Sequence, residues 1–168
     1  MTDPLAERHV YGRPDAPVTV LEFGDLECPY CRAAAPVLRE LVDTSDGQVR
    51  LVWRHFPLFE VHPYALAAGL AAEAAGAHGK FWEMHDELIG HQDRLADQDL
   101  RAAAQRLGLD PDEVAGDGAQ AYAPAISADY SAGIELGVRG TPTIYVGGTQ
   151  LHGKPTLERL REAVEAAR

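Results

Sequence analysis

Asparagine is absent from the 168-residue sequence, so the chain offers no acceptor for N-linked glycosylation. Basic residues are scarce, because 15 lysines and arginines stand against 26 acidic residues and give a formal net charge of −11. Such an acidic chain is a poor ligand for nucleic acid or for an anionic membrane surface. We therefore expect no nucleic-acid partner.

Long apolar runs are also missing. No stretch approaches the roughly 18 apolar residues that a transmembrane helix needs, and the longest candidate, ALAAGLAAEAAGA, is interrupted by Glu73. The first residues lack the basic and then apolar pattern of a secretory signal peptide. The sequence therefore predicts a cytoplasmic protein without membrane insertion, and leaves an exported mature form open.

Apolar periodicity predicts two parallel strands joined by a helix in the first third of the chain. VTVLEF at 18–23 is apolar and β-branched, and VRLVWRHF at 49–56 has a similar pattern. The segment 29–44 between them has an apolar helical face and begins with proline, with a kink expected at Pro36. A strand, a helix and a strand at this spacing predict a right-handed β-α-β unit.

The remaining chain predicts a helical block followed by a hairpin and a last helix. Residues 63–136 are rich in helix formers and in apolar residues at helical spacing. PTIYV and TQLHG flank a Gly-Gly turn signal, and the last helix follows Pro155. The predicted class is α/β, in the order β-α-β, helical block, β-β-α.

The two cysteines, Cys28 and Cys31, are the only ones in the sequence and stand three residues apart. Cys28 precedes Pro29 at the predicted helix start, where unpaired N–H groups and the helix dipole favour a thiolate. At i and i+3 both sulfurs lie on one helical face, close enough to bridge. We expect Cys28 to be the exposed, attacking sulfur and Cys31 the shielded one that resolves a mixed disulfide.

Two other uses of the cysteine pair have less support in the sequence. A zinc site takes four nitrogen or sulfur ligands, and the chain has no second cysteine pair, while its seven histidines are scattered singly along the sequence. A disulfide that spans two residues removes little chain entropy, so a purely structural bridge is also weakly supported. We predict neither a metal site nor another cofactor.

At these residues the sequence resembles DsbA-like thioredoxin-fold oxidoreductases. VTVLEFGDLECPYCRAAAPVL resembles their active-site region, HPYALAAGLAAEAAGAHGKFWEMHDELI their helical insertion, and LGVRGTPTIYVGG the loop that carries a cis-proline. The resemblance implies a thioredoxin-like domain formed by residues 1–62 and 137–168. Residues 63–136 would be an all-helical insertion between its two halves.

The resemblance also implies roles for individual residues. Cys28 and Cys31 match the redox pair, and Pro142 matches the cis-proline. The backbone of Thr141 would then pair with an extended substrate chain by strand addition. Glu22 matches a buried acid that helps to move the proton of the second cysteine. Two alternatives stay open: Glu22 pointing to solvent from a strand edge, and Pro142 as an ordinary trans proline.

Pro29 and Tyr30 join Thr141 and Pro142 as predicted substrate-binding residues. Structural roles are expected for several other conspicuous residues. Phe81, Trp82 and Met84 are expected in the core of the insertion. His55 and His85 are expected to be packing or surface histidines, and Arg54 and Arg139 to be solvated.

The leading functional hypothesis is a thiol-disulfide oxidoreductase that acts on protein or peptide thiols and disulfides and uses a further thiol redox partner. The alternatives are a glutathione-dependent isomerase or transferase of the same fold, and a non-catalytic peptide- or metal-binding module. Strongly oxidising family members carry histidine where this chain has Tyr30. Asp25 and Glu27 add negative charge beside the thiols, which opposes thiolate formation. These differences predict a disulfide less oxidising than that of the strongly oxidising members.

Overall fold

The structure is a computed structural model that describes residues 8–168. A five-stranded sheet in the order β1-β3-β2-β4-β5 forms its centre. The strands are β1 (Val10–Tyr11), β2 (Val18–Gly24), β3 (Val49–His55), β4 (Thr143–Val146) and β5 (Thr149–Leu151). The helices are α1 (Pro29–Asp43), α2 (Ala65–Gly76), α3 (Phe81–Ile89), α4 (Asp97–Arg106), α5 (Pro111–Val114), a 3-10 helix (Gly116–Tyr122), α6 (Ala123–Glu135) and α7 (Leu157–Ala166). The predicted α/β class is confirmed.

The unit β2-α1-β3 positions the cysteines. The two strands are parallel, with Val18 opposite Val49 and Gly24 opposite His55. Pro29 occupies the first turn of α1, where the missing N–H costs no hydrogen bond, and the helix continues through Pro36. The carboxyl end of β2 therefore leads directly into the turn that carries Cys28.

Strand β4 makes β2 a central strand. It pairs antiparallel to β2 on the side away from β3, with Glu22 opposite Ile144. Glu22 is 2% exposed. The alternative that Glu22 points to solvent from a strand edge is therefore wrong, because β2 has a hydrogen-bonded neighbour on each side.

The β4–β5 hairpin forms at the predicted Gly-Gly turn. Gly147 and Gly148 have φ values of 56° and 85°, and two consecutive positive φ angles match the right-handed twist of the flanking strands. The hairpin holds the start of β4, and with it the segment before Thr143, against the sheet.

Helices from the middle of the chain cover the cysteine end of the sheet. Cys28, Cys31 and Trp53 share one buried cluster with side chains of α2, α3 and α4. Phe81 and Met84 belong to it and are 4% and 0% exposed, as expected for core residues. The division into a thioredoxin-like domain and an insertion at 63–136 stays a prediction.

Among residues 8–168, every helix falls short of the length and apolarity needed to cross a membrane.

Candidate active site

The turn before α1 is held by hydrogen bonds on both sides of Cys28. The Cys28 N–H donates to the Asp25 carbonyl at 3.1 Å. Gln92, which follows α3, donates through Nε2 to the carbonyls of Leu26 and Cys28 at 3.0 and 2.9 Å. The helical segment thus fixes the backbone from which Cys28 projects, a role for Gln92 that no sequence motif indicates.

The two sulfurs occupy unequal environments, and both cysteines are free thiols in the structure. The pKa of Cys28 is lowered to about 5, mainly because the Cys31 thiol donates a hydrogen bond to it. Burial opposes this shift, whereas Thr141 and the N–H groups of Cys31 and Tyr30 add to it. Burial raises the pKa of Cys31 well above its ordinary value, and the hydrogen bond to Cys28 and the charge of Glu22 reinforce that rise. The pair therefore contains one thiolate and one protonated thiol at neutral pH.

The expectation that Cys28 is exposed is wrong. Cys28 is only 2% exposed and Cys31 is 0% exposed, whereas Tyr30 between them is 74% exposed. Cys28 is shielded from solvent in part by a segment distant in sequence, because its Sγ lies 3.6 Å from the Thr141 carbonyl oxygen. The two cysteines therefore differ in ionisation rather than in exposure.

The segment that faces Cys28 contains a cis peptide bond between Thr141 and Pro142. Thr141 is partly buried, and its Oγ1 atom has no hydrogen-bond partner among the described residues. The structure therefore brings four sequence-predicted site residues, Cys28, Cys31, Thr141 and Pro142, to one place. Their catalytic and substrate-binding roles stay predictions.

Glu22 lies in the core beside the pair. Its Oε1 atom is buried without a hydrogen-bond partner among the described residues. Burial, and then the charge of Cys28, raise the pKa of Glu22 to about 8. A carboxyl group with a pKa near neutrality both takes up and releases a proton under ordinary conditions. Glu22 is therefore chemically able to accept the proton that Cys31 must lose.

The carboxylates of Asp25 and Glu27, beside the cysteine pair in sequence, both accept backbone hydrogen bonds. The buried Asp25 carboxylate accepts hydrogen bonds from Glu27 N at 2.8 Å, Leu58 N at 2.9 Å and His62 Nδ1 at 2.7 Å. Glu27 in turn accepts from the N–H of Tyr64 at 3.1 Å. Both carboxylates thus tie the loop 57–64 to the active-site turn. The pKa of Cys28 nevertheless falls, because the hydrogen bond from Cys31, together with those from Thr141 and backbone N–H groups, outweighs the opposing effect of burial.

A second polar cluster lies between β1, β3 and α2. Glu73 Oε1 accepts from Arg8 Nη1 at 2.9 Å, His9 Nε2 at 2.5 Å and His55 Nε2 at 2.9 Å. His9, His55 and Glu73 are the described residues whose donor atoms lie close enough together to hold a metal ion. Trp53 Nε1, which can only donate, bonds His55 Nδ1 at 3.1 Å. The neutral His55 ring therefore carries its proton on Nε2, towards Glu73, and has no lone pair there for a metal.

The arginine expected to be solvated near this cluster is instead buried. Arg54 is 5% exposed, with Nη1 3.9 Å from Asp129 Oδ1. Asp129 also binds Arg8 at 2.5 Å and accepts from the His55 N–H at 3.1 Å. The cluster thus joins several elements as a structural network. Arg139, in contrast, is exposed as expected.

Replacing Glu73 with glutamine is expected to destabilise the protein by about 3–5 kcal/mol, because breaking a buried ion pair leaves its partners uncompensated. Burial favours the neutral acid, but hydrogen bonds from His55 and His9 hold the pKa of Glu73 well below its ordinary value. The stabilisation is therefore present above pH ~4.5 and is lost as the pH falls further. Urea unfolding at pH 7 and pH 3 measures both effects. The exposed Glu165, 3.5 Å from Arg168, is the control, with an expected effect below about 1 kcal/mol for Glu165→Gln.

Comparison with known proteins agrees with this geometry. Residues 5–166 match the family model described as Thioredoxin. A thioredoxin-like oxidoreductase from Silicibacter pomeroyi is 31% identical, with a TM-score of 0.83 over 98% of this chain and 93% of that chain. The thiol-disulfide exchange protein alpha-DsbA2 from Wolbachia pipientis shares the fold at 23% identity, with a TM-score of 0.81 over 94% of this chain and 85% of that one.

The curated relatives are much longer than this chain. The protein named Na(+)/H(+) antiporter NhaA 1 from Salinispora arenicola is 49% identical over 160 residues, which cover 95% of this chain and 24% of the antiporter. The chain thus spans about a quarter of the length of that relative. The match over nearly all of the sequence, the solved structures and the cysteine turn facing a cis-proline lead to one conclusion: the chain belongs to the thioredoxin family and has the DsbA-like form of its fold.

Proposed function

We propose that this chain is a thiol-disulfide oxidoreductase that exchanges disulfides with protein or peptide thiols through Cys28 and Cys31. The observation that supports it best is the opposite shift of the two thiols, with the pKa of Cys28 lowered to about 5 and that of Cys31 raised. A thiolate is the nucleophile of disulfide exchange. A protonated neighbour is the group that must lose its proton before it resolves the intermediate.

The proposed reduction of a substrate proceeds in two displacements. The Cys28 thiolate attacks one sulfur of the substrate disulfide, which forms a mixed disulfide and releases the other substrate sulfur as a thiolate that takes up a proton. Cys31 then gives its proton to Glu22 and attacks the Cys28 sulfur. The second substrate thiol leaves, and the Cys28–Cys31 disulfide remains. The same steps in reverse oxidise a dithiol substrate.

Substrate contacts are proposed at two elements around Cys28. The backbone of Thr141 and Pro142 borders the thiol and would pair with an extended peptide. Pro29 and Tyr30 would contact the substrate from the exposed first turn of α1. Further exposed apolar side chains follow in the loop that Asp25 and Glu27 hold: Phe59, Val61 and Tyr64. This composition suits an unfolded segment better than a small polar ligand.

Replacing Cys31 with serine is expected to trap the mixed disulfide, because Cys28 can attack but nothing displaces the bound substrate. The experiment incubates the reduced Cys31→Ser protein with an oxidised peptide and resolves the adduct by mass spectrometry without reductant. A stable one-to-one adduct at Cys28 is the expected product. The proposal fails if the folded Cys31→Ser protein keeps its Cys28 thiol free and forms no adduct with the peptide.

The redox direction and the compartment remain predictions. Tyr30 in place of histidine still predicts a disulfide less oxidising than that of the strongly oxidising relatives. The lowered pKa of Cys28 makes the expected difference in oxidising power smaller. A cytoplasmic location would place the chain in a reducing thiol pool and favour reduction or isomerisation of disulfides.

A second candidate function is suggested by the antiporter relatives. The chain matches about a quarter of the length of each of two proteins named as Na(+)/H(+) antiporters. It is therefore a candidate redox module for a transporter of that class. Sodium transport by vesicles that contain such an antiporter is then expected to change when the oxidised chain is added or fused. The Cys28→Ser chain should have no effect, and transport indifferent to the oxidised chain would remove this candidate.

A further inference from the structure

His62 lies where the loop 57–64 meets the active-site turn. Its Nδ1 atom is 2.7 Å from Asp25 Oδ2, and its side chain is 19% exposed, whereas that of Asp25 is 0% exposed. A backbone hydrogen bond from the His62 N–H to the Leu58 carbonyl at 2.9 Å fixes the loop at this point. The imidazole is therefore held at a set position with access to solvent, so that it can exchange protons.

Asp25 connects this imidazole to both cysteines through its own backbone. The Asp25 N–H donates to Cys31 Sγ at 3.5 Å, and its carbonyl accepts from the Cys28 N–H at 3.1 Å. One residue thus bonds His62 with its side chain and both cysteines with its main chain. His62 is therefore linked to the redox pair through a single intervening residue, Asp25.

The charges around His62 favour its protonated form. Burial lowers its pKa, but the hydrogen bond and charge of Asp25, followed by the charges of Cys28 and Glu27, outweigh that effect and raise the pKa overall. Interaction between two charges is reciprocal, so a Cys28 thiolate that favours the imidazolium is itself favoured by it. Tyr30, at the position between the cysteines, supplies no such cation.

We propose that His62 is a positioning residue of the redox pair: its imidazolium, held by Asp25, stabilises the Cys28 thiolate and so makes the Cys28–Cys31 disulfide more oxidising. This inference rests on the proposed exchange function and names one group that sets its equilibrium. The stabilised species is the reduced protein, because the thiolate exists only there. The disulfide form has no charge at Cys28 for His62 to act on.

The test compares the acid dissociation constant of Cys28, followed by thiolate absorbance, in the reduced wild-type, His62→Gln and His62→Lys proteins. His62→Gln is expected to lower that constant about tenfold, which is one pKa unit. The same tenfold change in the equilibrium with glutathione corresponds to a potential ~30 mV more negative. His62→Lys keeps a cation and is expected to stay within about threefold of wild type. A role in folding alone would not separate lysine from glutamine in this way.

The matched control is His78→Gln, because His78 also binds a carboxylate, Glu113, at 2.9 Å but is exposed on the helical segment. It should leave the ionisation of Cys28 and the potential unchanged. Equal ionisation of Cys28 in the wild-type and His62→Gln proteins overturns the inference.

The His62→Lys protein keeps the inference testable if His62→Gln does not fold. Wild-type His62 loses its charge as the pH rises through its raised pKa, whereas lysine keeps its charge, with Asp25, Glu27 and Cys28 the titratable groups that face either side chain. The potential of His62→Lys should therefore exceed that of wild type increasingly from pH 6 to pH 9. A constant difference overturns the inference. An active Cys28→Ser protein would instead show that the exchange function itself is wrong.

Discussion

A Cys28→Ser protein is expected to lose thiol-disulfide exchange by ~10³-fold or more, the scale of loss seen when a covalent nucleophile is removed. A serine hydroxyl forms no disulfide, and the chain contains no cysteine other than Cys31 to take over. Cys31 is a poor substitute, because burial raises its pKa well above the ordinary value and keeps it a protonated thiol. Reduction of insulin by a dithiol, with the protein as catalyst, measures the loss.

The appropriate control for Cys28→Ser is the Cys31→Ser protein, which removes a thiol from the same turn. It should retain the first displacement and stall at the mixed disulfide, whereas Cys28→Ser should not form the mixed disulfide at all. Equal rates of mixed-disulfide formation in both would contradict the assignment of Cys28 as the attacking sulfur.

Replacing Glu22 with glutamine is expected to remove from the reduced protein one contribution to stability that falls as the pH rises from ~4.5 to 8. The pKa of Glu22 is raised to about 8 in the folded state, chiefly by burial. Between the unfolded and folded values the native state binds more protons than the unfolded chain, so stability falls as the pH rises. At ~1.4 kcal/mol per pKa unit, the loss amounts to several kcal/mol.

Urea unfolding of the reduced protein at pH 5 and pH 8 tests this expectation. The glutamine side chain stays neutral, so Glu22→Gln should gain stability relative to wild type as the pH rises. Glu162→Gln, on the exposed face of α7, should follow wild type at both pH values. Parallel curves for the wild-type and Glu22→Gln proteins would show that Glu22 is ionised in the fold.

The same variant separates a proton-transfer role from a structural one. Without a carboxylate to accept the proton of Cys31, resolution of the mixed disulfide should slow by about 10²-fold, the lower range for a positioned acid or base. The attack by Cys28 should be little affected, because its proton has already left at neutral pH. Stopped-flow measurement of adduct formation and decay distinguishes the two steps.

Much of the fold could be predicted because its signals are local. The apolar run of β2, the proline after Cys28 and the Gly-Gly turn each determine the structure of their own segment. Strand β1 was not predicted, because two residues are too few to show alternation and its pairing depends on β3. Helix α1 continues through Pro36, and the kink expected at that residue stays a prediction.

The candidate site was less predictable where its chemistry depends on segments far apart. Glu22 could be placed in the core only after β4, more than a hundred residues later, is known to pair with β2. Asp25 appeared to be a negative charge against the thiols, whereas its carboxylate turns towards His62 and the loop 57–64. Nothing in the spacing of Gln92 indicates that it bonds the Cys28 carbonyl.

The buried cluster around Glu73 has one signal in the sequence. Glu73 is the single charged residue in an otherwise small and apolar helical run, and a buried charge requires partners. The sequence therefore indicates that partners exist, but not that they come from Arg8, His9 and His55. Those contacts depend on the antiparallel pairing of β1, which directly follows Arg8 and His9, with β3.

The most direct test of the account is the redox equilibrium of the Cys28–Cys31 pair in glutathione buffers, followed by the fraction of disulfide in the protein. We expect a single reversible two-electron transition, with a potential between those of thioredoxin and DsbA, about −270 and −120 mV. The absence of a reversible transition would contradict the exchange function. A potential at or above about −120 mV would contradict the predicted weaker oxidising power.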